Sequence, residues 1–405
     1  MRILVKTGIE LFIMLAFVIN ASAQQKAFNV DGQLNYCIRQ AKKTLAATSS
    51  VSLSPRNIPK GEQNWKYSSI HDWTSGFWPG ILWYLYQYTH HQQWKVSADS
   101  FTRVLRPDAY SSHFDHDLGF MLYNSFGNGY RITKDSSYKK VLLAAADSLA
   151  TLYNPKVGTI LSWPSMVKKM GWPHNTIIDN MMNLQLLFWA AKNSGGKQLY
   201  AIAVAHATTT MKNHFRPDYS SYHVVVYDTT TGKVLKRITH QGYSDSSMWA
   251  RGQSWAIYGF TMCYRETKMQ KFLDFAGKVA DVYLERLPKD LIPYWDFNDP
   301  SIPNAPRDAS AAAITASALL ELSTFVQDKD KAKSYRDKAE RMLAELSTAK
   351  YQIRNINSAF LLHSTGNKPA GDEIDASIIY ADYYYTEALL RLKKLEEGNS
   401  IYAKL

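Results

Sequence analysis

The sequence predicts an all-α fold, an (α/α)6 barrel of six helical hairpins, and three features carry that prediction. Apolar periodicity marks twelve helices of two alternating kinds. Six are amphipathic with a charged outer face: 34–47, 92–105, 136–153, 198–214, 270–287 and 328–347. The other six are apolar or small nearly all round, the mark of a buried helix: 76–88, 118–126, 180–192, 252–264, 309–325 and 378–392. A charged residue introduces each buried helix, namely Asp72, Asp117, Asp179, Arg251, Asp308 and Asp375. Their uneven spacing clusters at roughly sixty residues, as a helical-hairpin repeat with variable loops would give.

In chain order, residues 1–23 read as a secretory leader: Arg2 and Lys6, an apolar run over 11–19, then Ala21-Ser22-Ala23. Cleavage is expected after Ala23, with export to the periplasm or medium. No cysteine follows that site to carry a lipid, and no later run is long and apolar enough to span a bilayer. Residues 24–405 hold no Pro/Gly/Ser linker and are expected to form a single domain.

The first inner helix brings an aromatic cluster, Trp73, Phe77, Trp78, Trp83, Tyr84 and Tyr86. The second follows the acidic run Asp115-His116-Asp117, and the third follows Asp179-Asn180. Before the fourth, β-branched runs at 222–227 and 234–239 enclose Thr230-Thr231-Gly232-Lys233 and predict a small β-hairpin in a rim loop. It leads into His240-Gln241-Gly242-Tyr243 and then Arg251. The last inner helix follows a polar loop, His363 to Pro369, that contains Ser364, Thr365 and Lys368.

In such a barrel the inner N-termini gather at one mouth, where helix dipoles and free N–H groups favour anionic groups. Two carboxylates in unequal surroundings can then divide the work of acid and base, as sugar hydrolysis requires. Asp117 and Asp179 are the best pair in the sequence. Each could instead be a plain N-cap, a place that Asp favours for stability alone.

Aromatic residues make up 13% of the chain. Most must fill the core, leaving Trp73, Trp78 and Trp163 as candidate stacking faces for sugar rings. The formal charge of +12 falls by one when Arg2, Lys6 and Glu10 leave with the leader. A basic surface suits polyanions, but the lysines are scattered and form no nucleic-acid motif. Cys37 and Cys263 lie far apart within helical patterns and are expected to be buried free thiols. No Cys/His cluster, P-loop or dinucleotide signature is present, so neither a metal nor an organic cofactor is expected.

These motifs resemble those of the unsaturated glucuronyl hydrolases, glycoside hydrolase family 88. The resemblance runs through Asp72-Trp73-Thr74-Ser75-Gly76-Phe77-Trp78-Pro79-Gly80, His116-Asp117-Leu118-Gly119-Phe120 and Asp179-Asn180-Met181-Met182-Asn183. It continues through His240-Gln241-Gly242-Tyr243 and Arg251-Gly252-Gln253-Ser254-Trp255-Ala256-Ile257-Tyr258-Gly259. It implies hydration of the C4=C5 vinyl ether of a terminal unsaturated uronic acid on a lyase-cut, glycosaminoglycan-type oligosaccharide. By that resemblance Asp179 protonates C4 and then assists water at C5, while Asp117 holds sugar hydroxyls and raises the pKa of Asp179.

The resemblance also places His223, Gln241, Arg251 and Trp255 around the sugar, with His116 and His240 beside them. Arg251 has the alternative of pairing with Asp245, and the histidines that of purely structural bonding. Ser364, Thr365 and Lys368 correspond in part to a loop that binds sulfate in some relatives. A pectin-directed rhamnogalacturonyl hydrolase and a non-catalytic glycan-binding protein are the competing readings. The Asp-His-Asp-Leu-Gly-Phe and Arg-Gly-Gln runs weigh against the first, and the two intact acids against the second.

Overall fold

The structure is a computed structural model that describes residues 28–111, 115–352 and 354–402. The leader expected at 1–23 lies outside the described residues. Among the described residues, twelve helical segments form two layers. The outer layer holds α1 (Val30–Ala47), α3 (Gln92–Arg103), α5 (Ser136–Ala150), α8 (Lys197–Asn213), α10 (Gln270–Glu285) and α12 (Lys329–Leu346). The inner layer holds α2 (Phe77–Thr89), a π-helix (Gly119–Gly127) continued by α4 (Asn128–Thr133), α7 (Asn180–Lys192), α9 (Ala250–Thr267), α11 (Ala309–Leu322) and α13 (Ile379–Glu396).

The burial of each helix follows its sequence pattern. All fourteen residues of α11, mostly Ala, Ser and Leu, are buried, and α9 is buried continuously from Ala250 to Cys263. By contrast α1 buries only a stripe, Val30, Leu34, Cys37, Ala41 and Thr44 among it, at three- and four-residue intervals. Each inner helix packs on the next in the order α2, π-helix, α7, α9, α11, α13, and α13 returns to α2. The ring is therefore closed. Each outer helix backs the inner one before it, α3 on α2 through α12 on α11, while α1 backs α13. Cys37 and Cys263 are buried free thiols, as the sequence predicts.

Among the described residues, three small sheets decorate the loops. One orders β2 (Lys66–Ser69), β1 (Leu53–Ile58) and β8 (Ser377–Ile378), and another pairs β3 (Tyr153–Asn154) with β4 (Thr159–Ile160). The predicted hairpin is present as β6 (Val224–Tyr227) and β7 (Val234–Ile238), with Val224 opposite Ile238. A strand that the polar sequence His-Asn-Thr-Ile conceals, β5 (His174–Ile177), extends it, with Ile177 opposite Val224. The chain leaves β5 directly into Asp179, so this sheet fixes the start of α7. The short helix α6 (Pro164–Met170) stands beside it.

The predicted helix at 118–126 is π-helical over Gly119–Gly127, and α7 caps its start. Asn183 Oδ1 accepts the Phe120 N–H at 2.9 Å, satisfying a first-turn donor that no helix pairs internally. Gly119 permits the approach, because a Cβ there would sit 2.5 Å from the Asn183 Cα.

Candidate active site

Asp308 and Asp328 behave as ordinary N-caps, their carboxylates accepting backbone N–H groups of the first turn. Asp179 does not. It occupies the N-cap position of α7 with helical backbone angles and makes no capping bond. Its carboxyl instead turns to His223, whose Nε2 lies 3.6 Å from Asp179 Oδ2.

The neighbouring acid is arranged in the same way. His116 Nε2 lies 3.6 Å from Asp117 Oδ1. Asn183 Nδ2 donates to His116 Nδ1 at 3.2 Å and lies 3.5 Å from Asp117 Oδ1. On the other ring, His223 Nδ1 accepts the backbone N–H groups of His240 and Gln241 at 3.3 and 3.2 Å. With each Nδ1 occupied as an acceptor, each neutral imidazole carries its proton on Nε2, facing a carboxyl. At 3.6 Å neither contact is a made hydrogen bond. Asp179 Oδ2, His223 Nε2, His116 Nε2 and the Trp255 indole nitrogen are all buried without a hydrogen-bond partner among the described residues. Buried polar atoms are rarely left so, and four around one pair of acids mark the place of a polar ligand.

Burial sets the protonation of the site. It pushes the Asp179 carboxyl up to about 7, against the opposing pull of the Arg251 charge. Asp117 is pushed up to about 8, by burial first and then by the charge of Asp179. Asp115, which accepts the Asp117 N–H at 3.1 Å, rises to about 7 by burial and the Asp117 charge. Burial drives His116 down to about 4 and His223 well below its ordinary value. Near neutral pH the histidines are therefore neutral, and the carboxyls retain protons to give. The sequence reading had Asp117 raising Asp179; at Asp179 the cause is burial, and the charge effect is felt at Asp117.

The remaining predicted residues divide by position. Trp163 packs edge-on against His223 at 5.7 Å and His240 at 5.4 Å, so it belongs to the mouth. Trp73 is half-buried against Phe120 and Tyr380, and Trp255 is buried against Phe120 and Tyr384. Gln241 is half-buried on the rim. Trp78 is placed otherwise: it is 1% exposed and packs on Phe101 of α3, between the layers, so it fills the core instead of facing a sugar.

Arg251 is 2% exposed and its partner is Asp308 at 3.1 Å, not Asp245. Its guanidinium also donates to the carbonyls of Thr365 and Gly366 and lies 4.6 Å from the Trp249 ring centre. The fork is thus spent on tying α9 to α11 and the 364–368 loop, leaving its charge to act on Asp179. That loop is built into the fold. Ser364 and Thr365 are buried, and the Thr365 hydroxyl donates to the Arg307 carbonyl at 2.9 Å. Bridges from Ser364 to Ala376 and from Asn367 to Asp372 hold it. Lys368 is half-buried, 3.1 Å from Asp299 and 4.8 Å above the Trp295 ring, so its charge is already answered.

Two residues of the site escaped selection from the sequence. Asn183 fastens Asp117, His116 and the π-helix together; its signal was a polar residue one turn after Asp179 on an apolar helix. Trp249 supports both His223, at 4.6 Å between ring centres, and Arg251. Nothing in the sequence distinguishes it from a core tryptophan.

Comparison with known proteins agrees with this arrangement. Residues 51–405 match the profile of Glycosyl Hydrolase Family 88. An unsaturated glucuronyl hydrolase of Formosa agariphila is 48% identical over 351 residues, 85% of this chain and 84% of that one. An unsaturated chondroitin disaccharide hydrolase of Streptococcus pneumoniae is 37% identical over 332 residues, 80% and 82% of the two chains. Among solved structures, an unsaturated glucuronyl hydrolase specific for heparin superposes with a TM-score of 0.83 at 42% identity, covering 91% of this chain and 96% of that one. With an inner ring of six helices, a pair of proton-holding carboxyls at its mouth and these relatives along most of its length, the chain belongs to Glycosyl Hydrolase Family 88.

Proposed function

We propose that this chain removes the terminal 4,5-unsaturated uronic acid from lyase-generated glycosaminoglycan oligosaccharides by hydrating the C4=C5 vinyl ether. The observation that carries this reading is the pair Asp179 and Asp117, each buried, raised toward neutral pH and faced by an imidazole N–H. Asp179 gives its proton to C4, and the positive charge that develops at C5 is shared with the ring oxygen. The Asp179 carboxylate then takes a proton from water as its oxygen bonds to C5. The C5 hemiketal so formed opens by breaking the bond to the ring oxygen, and the hemiacetal left at C1 collapses to release the aglycone.

In this reading Asp117 and His116, locked by Asn183, hold sugar hydroxyls, and His223 and Trp255 steady the charge that appears on Asp179 once its proton has gone. Gln241 faces the sugar from the rim and Trp163 stacks beside it. Arg251 keeps the charge balance of Asp179 from behind. Export through the segment 1–23 and a single domain over 24–405 complete the proposal.

A panel of unsaturated uronyl disaccharides and their saturated counterparts tests it. Loss of the C=C absorbance is expected with the unsaturated sugars, and no turnover with the saturated ones. Equal turnover of a saturated glucuronide would overturn the vinyl-ether mechanism.

A further inference from the structure

Charge is unevenly distributed along the chain. Between Asp147 and Asp218 the chain carries one acidic residue, Asp179, against seven lysines and arginines. Within that stretch α6 buries none of its residues, yet it begins at Trp163, whose ring touches His223 and His240. It ends with Lys168 and Lys169 in its last turn. The charge of Lys169 reaches His240, whose pKa is lowered by burial and then by that lysine.

Lys236, on the exposed strand β7, stands 5.5 Å over the Trp172 ring, which is edge-on to His240 at 6.1 Å. Lys168, Lys169 and Lys236 make no ion pair among the described residues, whereas Lys192, Lys331, Lys350 and Lys368 each have an acidic partner. Between the lysines Val167, Met170 and Leu235 are exposed. A surface with unpaired cations and apolar patches, continuous with the catalytic mouth through Trp163 and His240, fits a chain that is anionic at intervals and apolar on its ring faces.

We propose that the lobe formed by α6 and β7 is an additional binding surface for anionic sugars beyond the terminal one. It would make longer sulfated or carboxylated oligosaccharides better substrates than disaccharides. The inference rests on the function proposed above and extends it to chain length. The helix rises about 10 Å from Trp163 to Met170, so its lysines meet groups past the sugar being hydrated. Polyanion affinity of this kind is screened by salt.

The test is the triple variant Lys168→Ala/Lys169→Ala/Lys236→Ala, assayed on an unsaturated disaccharide and an unsaturated hexasaccharide cut from the same sulfated polysaccharide. All three side chains are exposed, so the fold is retained, which circular dichroism checks. The hexasaccharide kcat/KM should fall about tenfold through KM, three exposed contacts each giving a factor of about two. The disaccharide kcat/KM should not change. Raising ionic strength should erase the wild-type preference for the longer chain and leave the variant unaffected. An equal loss on both substrates, or none on the hexasaccharide, overturns the proposal. If the wild type turns over neither, the catalytic reading fails alone; calorimetric binding of the hexasaccharide then decides, with unchanged affinity in the variant overturning the surface.

Discussion

Replacing Asp179 with Asn should make the protein more stable and less active, and the gain in stability should depend on pH. The carboxyl titrates near 4 in an unfolded chain and near 7 in the folded protein. Below pH 4 both states are protonated and the group costs nothing. Between pH 4 and 7 the unfolded chain releases its proton while the folded one holds it, so folding stability declines, and above pH 7 the loss levels off. About three pH units correspond to a ceiling of about 4 kcal/mol. Since 13% of the side chain remains open to solvent, roughly 2 to 4 kcal/mol is expected. Asp179→Asn has no such charge, so its advantage should be full at pH 8 and vanish by pH 4. Urea unfolding at pH 4, 6 and 8 reads the difference, and kcat on an unsaturated disaccharide should fall at least about a thousandfold. Identical unfolding curves at pH 8, or a kcat above about a tenth of wild type, a loss of only about 1.4 kcal/mol, would refute the role assigned to this carboxyl.

Other outcomes follow from the same geometry. The kcat/KM of the unmodified enzyme should decline as pH rises through about 7, where Asp179 loses the proton it donates; a flat profile from pH 6 to 9 would exclude it as the acid. Asn183→Ala removes the bonds to His116 and the Phe120 N–H, and kcat should fall about 10- to 100-fold with about 1 to 3 kcal/mol of stability, measured by kinetics and urea unfolding. In Gly119→Ala the new Cβ meets α7 backbone, so soluble yield should collapse or stability fall by about 1 to 3 kcal/mol or more. Arg251→Lys cannot span Asp308 and the Thr365 and Gly366 carbonyls together, and denaturation should register a loss of about 3 to 5 kcal/mol.

What the sequence revealed depended on how far apart in the chain the causes lie. Helix number and layer were legible because burial is written locally: α11 has no polar face, and α1 has one. The hairpin at 224–238 was legible for the same reason, whereas β5 is polar and becomes a strand only because β6 lies beside it. The two acids were visible, but not that Asp179 abandons its cap while Asp308 keeps one. The bond that caps the π-helix was hidden because it comes from Asn183, sixty-three residues after Phe120. Arg251 finds Asp308 fifty-seven residues on, while the sequence offered the nearer Asp245. Trp78 and Trp163 are the same residue type; only the direction each faces, toward α3 or toward His223, separates filler from mouth.

The closure of the inner ring by α13 sets the order in which this molecule can be made. Since α13 packs on both α11 and α2 and receives α1 on its back, the first helix of the described chain has its partner only once residues 379–396 exist. Until then five inner helices form an open arc, with the apolar flanks of α2 and α11 bare to water and to other chains. The long sequence separation between α1 and α13 makes their meeting a late and entropically expensive step. The barrel therefore stays open until residues 379–396 dock, and that interval is when aggregation competes with folding.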